Sequence, residues 1–448
     1  MRVIPWLIVA VVVALLAWSA SRFDRNRTTT NEPQYATRAM VPALIPERLA
    51  RTDFAATLTQ ANEIIEKKRL KVRTDPSEWI NYEALAASLL PRARLTGSFD
   101  DYAEARSVVD KGLALSPKGT GPHLVSAAIA MATHRVKDAR ADLHIISRYV
   151  IPDMQTTAEA TAMRGDLALY SGQYKDAARL YAKASEGGPW TGLTYRRAIL
   201  ASQTGQMDRA RALYTEADTQ TLLPTPAFRA DILTRQGELS LSQGDWPEAR
   251  KLFTEANLIY PGNWRIELRV AQMMALEGKM GVAIQQFERI ATIANSPEAM
   301  DVAAGLYRAQ GDGRRSRLWA DRAGAIWELR LSQVPEAAWG HALEHELAFG
   351  SPQRALALAG RDVKDRPFGQ AMIGVAKAWI ANRRPDYAAA LLEKVNASGW
   401  QSVEQHLILA DAYALMGRGK DAEAEQQAAV ALNPHALSRN PAFVWLDH

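Results

Sequence analysis

The sequence predicts an all-α fold, an elongated solenoid of antiparallel helix pairs, and two periodic features carry that expectation. Glycine recurs at Gly172, Gly205, Gly244, Gly278, Gly311, Gly350 and Gly417, in steps of 33, 39, 34, 33 and 39 and then 67, the last being two units of 33 and 34. Five residues after each comes a small residue, Ala177, Ala210, Ala249, Ala283, Ser316, Ala355 and Ala422, and four further on a bulkier one is common, as in Tyr181, Tyr214, Phe253 and Phe287. A glycine closes the first helix of a pair because the left-handed conformation costs it little, and the small residue lets the second helix pack close against the first. The aromatic then fills the gap between neighbouring helices.

Composition agrees with many short helices joined by tight turns. Hydrophobic residues make up 48% of the 448, and Gly and Pro fall singly at turn-like positions. The net charge of +5, on a chain with 23% charged residues, comes without a dense Lys/Arg stripe interleaved with aromatics, which argues against a nucleic-acid partner. The absence of cysteine excludes disulfides, thiolate metal sites and cysteine nucleophiles, and suits an oxidising compartment.

Taken in chain order, residues 1–21 read as a transmembrane anchor or signal segment. Val3 to Ala20 is uncharged and just long enough to cross a bilayer as a helix. Arg22, Arg25 and Arg27 after it favour keeping the downstream chain in the cytoplasm. The short Arg-led start, the small residues Ala17, Ser19 and Ala20 and the missing cysteines favour export instead, and the reading taken is a single-pass protein of the bacterial inner membrane with its solenoid in the periplasm. Residues 22–50, with Pro33, Pro42 and Pro46, form a polar tether. The solenoid follows over 51–436 and a short tail over 437–448.

Within the array, SGQYKDAARLYAKASEGGP from Ser171 aligns with QGDWPEARKLFTEANLIYP from Gln243 at every small, aromatic and proline position. Gly237, Ala249, Ala256 and Pro261 mark one unit, and Gly165, Ala177, Ala184 and Pro189 mark another. Ala410, Tyr413, Gly417, Ala422, Ala429 and Pro434 mark the last, and Trp339, Gly350, Ala355 and Pro367 a further copy. Degenerate copies surround Ala139 and Ala388, and a first one, around Ala105 and Pro117, has an expanded turn. The longer glycine steps predict a loop near Thr219 to Pro226 and a lengthened helix over Ile326 to Val334. The tryptophans at 79, 190, 246, 264, 319, 327, 339, 379, 400 and 445 are expected to fill space between helices.

This pattern resembles the tetratricopeptide repeat family, with small residues at positions 8, 20 and 27 of a 34-residue unit and often proline at 32. The resemblance covers residues 77 to 436 and implies a right-handed superhelix of about nine repeats. The overall layout also looks like exported, membrane-anchored bacterial repeat proteins of unassigned function. The resemblance further implies that ligands meet positions 2, 5, 9, 12 and 13 of each first helix, on the concave face. Here those positions hold Glu159, Asp166, Tyr195, Gln203, Asp231, Glu238, Arg265, Gln272, Asp301, Arg308, Glu344, Lys377, Glu404 and Asp411. Acidic groups outnumber basic ones in that set, so the groove is expected to attract basic or polar segments, and the Lys and Asn clamp of chaperone-binding relatives is missing.

One motif points to chemistry. His341, Glu344 and His345 spell HALEH, the H-x-x-E-H order of the inverted zinc peptidases, and histidines at i and i+4 share a helix face. The motif lies inside a repeat, however, and no phosphate loop, dinucleotide fingerprint or G-x-S-x-G elbow accompanies it. The sequence therefore favours a non-catalytic scaffold that binds a protein or peptide partner at the membrane and needs no cofactor. The alternative is a zinc-dependent hydrolase or metal-handling protein centred on His341 and His345.

Overall fold

A computed structural model of the chain describes residues 53–149, 153–221 and 224–438. The proposed anchor over 1–21 and tether over 22–50 lie outside the described residues. Among the described residues no helix is long and apolar enough to cross a membrane, and none of them forms a β-strand.

Among the described residues a leading helix α1 (Phe54–Thr74) precedes ten antiparallel pairs, where about nine repeats were expected. They are α2 (Trp79–Thr96) with α3 (Phe99–Leu115), α4 (His123–Ala132) with α5 (Val136–Ile146), α6 (Met154–Tyr170) with α7 (Tyr174–Ala184), α8 (Thr191–Gln203) with α9 (Met207–Gln220), and α10 (Pro226–Ser242) with α11 (Trp246–Ile259). Then come α12 (Trp264–Leu276) with α13 (Met280–Ala294), α14 (Pro297–Ala309) with α15 (Gly313–Gln333), α16 (Pro335–Phe349) with α17 (Pro352–Asp365), α18 (Gly369–Ala381) with α19 (Pro385–Ser398), and α20 (Val403–Leu415) with α21 (Gly419–Leu432). The second long glycine step does lengthen a helix, the 21-residue α15. The first becomes the connection between Gln220 and Pro226.

Two of the copies that look degenerate in sequence have ordinary geometry. His134 and Arg383 take the left-handed conformation (φ 59° and 60°) at the turn where other pairs place glycine. Each side chain accepts a local cost of about 1 kcal/mol there, and the turn forms regardless.

Within a pair, the small residue of the first helix sits under the aromatic of the second. A Cβ on Gly237 would lie 2.6 Å from Cε1 of the fully buried Phe253, and Gly165 stands in the same relation to Tyr181. The tryptophans act as filler. Trp264, Trp319, Trp327 and Trp400 are buried and the other described ones are partly buried; Trp445 lies outside the described residues.

The array coils tightly enough for pairs six apart to touch, which produces a seam between successive superhelical turns. The turn of the second pair meets the start of the eighth, where His134 Nδ1 lies 3.2 Å from the Glu336 carbonyl. At the third and ninth, the Gly369 N–H donates to the Tyr174 hydroxyl at 2.9 Å and Tyr170 packs edge-on against Phe368. Gly172 is indispensable in this contact: its φ is 71°, and a Cβ would stand 2.8 Å from the Pro367 carbonyl oxygen. The Gln401 N–H donates to the Gln203 carbonyl at 3.1 Å between the fourth and tenth. Finally, Asn433 donates to the carbonyls of Leu241 and Ser242, and His435 stacks on Trp246, closing the fifth pair against the chain's end. At the other end, the Phe54 N–H donates to the Pro261 carbonyl at 3.1 Å.

Gly237→Ala is expected to lower stability by about 1–3 kcal/mol through overpacking against Phe253, read from the urea midpoint. Gly281→Ala, at a position where an added methyl meets nothing, should not destabilise; equal losses at both sites would contradict this account of the helix pair.

Candidate functional site

First helices of successive pairs contact one another, and the structure joins many of the residues expected on the concave face into a ladder of ion pairs and hydrogen bonds between first helices. Arg196 on α8 reaches back to α6, donating through Nη2 to Glu159 Oε1 at 2.6 Å and through Nε to Asp166 Oδ2 at 2.9 Å. The Tyr181 hydroxyl donates to the other oxygen of Asp166 at 2.7 Å. Tyr195, also on α8, donates to Asp231 on α10 at 2.7 Å and accepts from Arg235 Nε at 2.9 Å. Arg235 also donates to Glu238 at 3.0 Å, and Arg269 on α12 donates to the same carboxylate at 2.8 Å. Gln272 is buried and accepts from Arg269.

Further along, Asp301 on α14 accepts from Trp327 Nε1 at 2.8 Å and lies 2.7 Å from Nδ1 of His345 on α16. Arg308 donates to the Ala348 carbonyl at 2.6 Å and covers the Phe349 ring. Lys377 on α18 bridges Glu344 on α16 at 2.6 Å and Glu404 on α20 at 2.9 Å. Asp411, by contrast, is exposed, although partial burial of its carboxyl raises its pKa.

These contacts correct the expected acidic bias. The acids read from positions 2, 5 and 9 are real, but Arg196, Arg235 and Arg269 stand on the same wall and neutralise them. Each lies nine residues before a turn glycine, Gly205, Gly244 and Gly278, so their spacing repeats with the unit. That recurrence was the available signal, missed because position 6 is not among the concave positions the resemblance implies.

The electrostatics are those of a surrounded but wet surface. Burial alone would raise the Glu238 carboxyl, yet Arg235 and Arg269 outweigh it and hold the pKa below the usual value. Burial likewise opposes the charge of Lys377, and Glu404 and Glu344 more than restore it. At Glu298 on α14, Arg330 and His341 overcome burial and bring the carboxyl down to about 2.

The HALEH residues face three different partners. His341 lies flat on Trp327, with ring centroids 5.8 Å apart and planes 6° apart. Glu344 pairs with Lys377, and His345 with Asp301. Among the described residues no group of three or more His, Asp or Glu side chains converges in a way that could hold a metal ion. Burial disfavours the His345 imidazolium, but Asp301 outweighs it and raises the pKa above 6.5.

Residues 162–221 match a family model described as tetratricopeptide repeat. No curated protein matches the sequence. Among solved structures, a tetratricopeptide repeat protein from Parabacteroides merdae is 16% identical with a TM-score of 0.33, the match covering 54% of this chain and 93% of that one. A second, the APC/C hetero-tetramer Cut9-Hcn1, is 12% identical with a TM-score of 0.39, the match covering 80% of this chain and 75% of that one.

Two outcomes test the ladder. Lys377→Met leaves Glu344 and Glu404 without their shared cation and is expected to cost about 3 kcal/mol, measured by urea unfolding. The His345–Asp301 pair, whose histidine pKa is raised in the folded state, contributes fully below pH 6.5 and loses its contribution as pH rises through the folded value. The urea midpoint should therefore fall over that range, and His345→Gln should flatten the slope; an unchanged slope would remove the pair from the account.

Proposed function

We propose that this chain, in which tetratricopeptide repeats are recognised, is a non-catalytic scaffold that holds a protein partner along its inner wall at the bacterial inner membrane. The observation that carries this reading is the row of polar side chains on first helices, Glu159 and Asp166 on α6, Tyr195 on α8, Asp231 and Glu238 on α10, Lys377 on α18 and Asp411 on α20. A solenoid offers one-dimensional recognition, in which each unit adds a small contact and specificity accumulates along the array.

Anchoring by residues 1–21, and display of the solenoid in the periplasm beyond the tether over 22–50, belong to the same proposal and rest on the apolar run from Val3 to Ala20 and on the absence of cysteine. The catalytic alternative gains no support from the HALEH residues, each of which is engaged in the packing of the array.

A photo-crosslinking residue placed at Asp411, on the wall, should trap a discrete protein adduct in native membranes, whereas one at the outward, exposed Leu258 should not. Equal capture at both positions would sink the inner-wall reading. A reporter enzyme active only outside the cytoplasm, fused after His448, should be active; silence would reverse the orientation.

A further inference from the structure

The ladder neutralises almost every charge on the inner wall, so the informative residues are those it leaves out. Arg94, near the end of α2, and Arg265, in the first turn of α12, both keep solvent-exposed surface, and neither forms an ion pair with a carboxylate among the described residues. They come from the first and sixth pairs, whose Gly97 and Arg265 the coiling of the array brings into contact. A Cβ on Gly97, three residues beyond Arg94, would lie 3.2 Å from a guanidinium nitrogen of Arg265. Tyr102 on α3 lies within electrostatic reach of Arg94, Arg265 and Arg330 together.

The nearby carboxylates are already committed. Asp101 is held in a two-pronged contact by Arg92 at 2.8 and 2.7 Å, Glu298 by Arg330 at 2.6 Å, and Asp166 by Arg196 and Tyr181. Two guanidinium groups are left over, and the protein around them opposes their charge. Burial lowers the pKa of both and is the largest influence; Arg196 adds to it at Arg94 and Arg330 and Arg235 at Arg265, while Asp166 and Glu298, each already paired elsewhere, offset it only in part. Arg265 is favoured at longer range by Glu298 and lies over the face of its neighbour Trp264, 4.4 Å from the ring centroid, without an ion pair of its own.

We propose that Arg94 and Arg265, with Tyr102 between them, form a docking site for an acidic, extended protein segment that enters the lumen of the superhelix. The inference rests on the adaptor reading and specifies its partner by charge. Guanidinium groups that are accessible yet surrounded by protein are well placed for carboxylates, because each can offer a forked pair of donors and screening by solvent is reduced. The seam closes the side of the lumen at the turns of the second to fifth pairs, which favours a linear segment over a folded surface. The chain's own leading segment is unsuited to the site, since residues 1–52 carry seven arginines against three acids.

The test is fluorescence anisotropy of the full chain with a labelled glutamate-rich peptide and, in parallel, a lysine-rich one of the same length. The acidic peptide should bind and the basic one should not, and raising salt from about 50 to about 300 mM should weaken binding. Arg94→Met and Arg265→Met should each weaken it about tenfold, Arg94→Lys and Arg265→Lys, which keep the charge and lose the fork, should fall between the methionine variants and the unaltered chain, and the exposed Arg314→Met should leave it unchanged. Because burial disfavours both charges and neither forms an ion pair, neither methionine variant should lower the thermal midpoint followed by circular dichroism, which separates lost binding from lost folding. Full binding by the double methionine variant, or equal binding of the basic peptide, would overturn the proposal. So would inorganic phosphate competing as tightly as the peptide, which marks a small-anion site. A partner crosslinked at Asp411 and indifferent to both arginines would leave the scaffold standing and remove this docking site alone.

Discussion

Every feature of this protein depends on how closely the two helices of each pair approach. At the crossing point the first helix carries Ala127, Gly165, Ala198, Gly237, Ala271, Ala304, Ala376 or Ala410 in eight of the ten described pairs, all of them buried, while the first and eighth pairs place Leu90 and Leu343 there. A larger side chain there would hold the partner helix away and expel the aromatic that fills the next gap, as the fit of Phe253 over Gly237 illustrates. No pair can bury its apolar stripe alone, so the core is continuous across neighbours and the stability of the array is shared among unit and interface terms. The curvature that brings the sixth neighbour into contact is the accumulated result of that small repeated geometry.

The seam adds long-range contacts to an architecture otherwise dominated by nearest neighbours. It uses backbone carbonyls and turn residues, such as the Pro367 oxygen beside Gly172 and the Gln203 oxygen beside Gln401, together with a few aromatics, Tyr170, Tyr174, Phe368 and Trp400. A free solenoid can stretch like a spring, because only adjacent units resist. Here extension would break hydrogen bonds between turns and expose the buried faces of Phe368 and Trp400, so the spring is latched. The leading helix and the chain's end, through Phe54 and His435, extend the same latch at its two ends.

The fold was legible because its cause is periodic. Glycine, alanine and aromatic positions recur with the unit, and a recurring signal survives the loss of individual copies. The left-handed turns at His134 and Arg383 were hidden because side chains that tolerate the conformation only at a cost stand where glycine would have marked it. The seam was illegible for a different reason: its partners, such as Tyr174 and Gly369, are 195 residues apart, and contacts made once by irregular residues leave no repeating trace. The polar positions of the first helices were read one by one, and their pairing was not. Reading position 6 beside positions 2 and 9 would have shown that Arg196 could neutralise Glu159 and Asp166. Which arginines stay without an ion pair, however, follows from coiling and not from any one unit, since Tyr102 of the first pair comes within reach of both Arg94 and Arg265 only when the first pair reaches the sixth.

Self-pairing changes what a polar groove can do. A ligand that engaged Asp166 or Glu238 would first have to separate them from Arg196 or from Arg235 and Arg269, and it would gain only the difference between the new pairing and the old. Those residues hold the wall in shape and contribute little net attraction. The groups outside the ladder differ in kind. At Arg94 and Arg265 the unfavourable electrostatics of the free state are already present, imposed by burial and by neighbouring arginines, so an arriving carboxylate relieves a cost without breaking a bond. Selectivity in this solenoid therefore belongs to the charges that the array fails to compensate, even though compensated residues make up most of the polar wall.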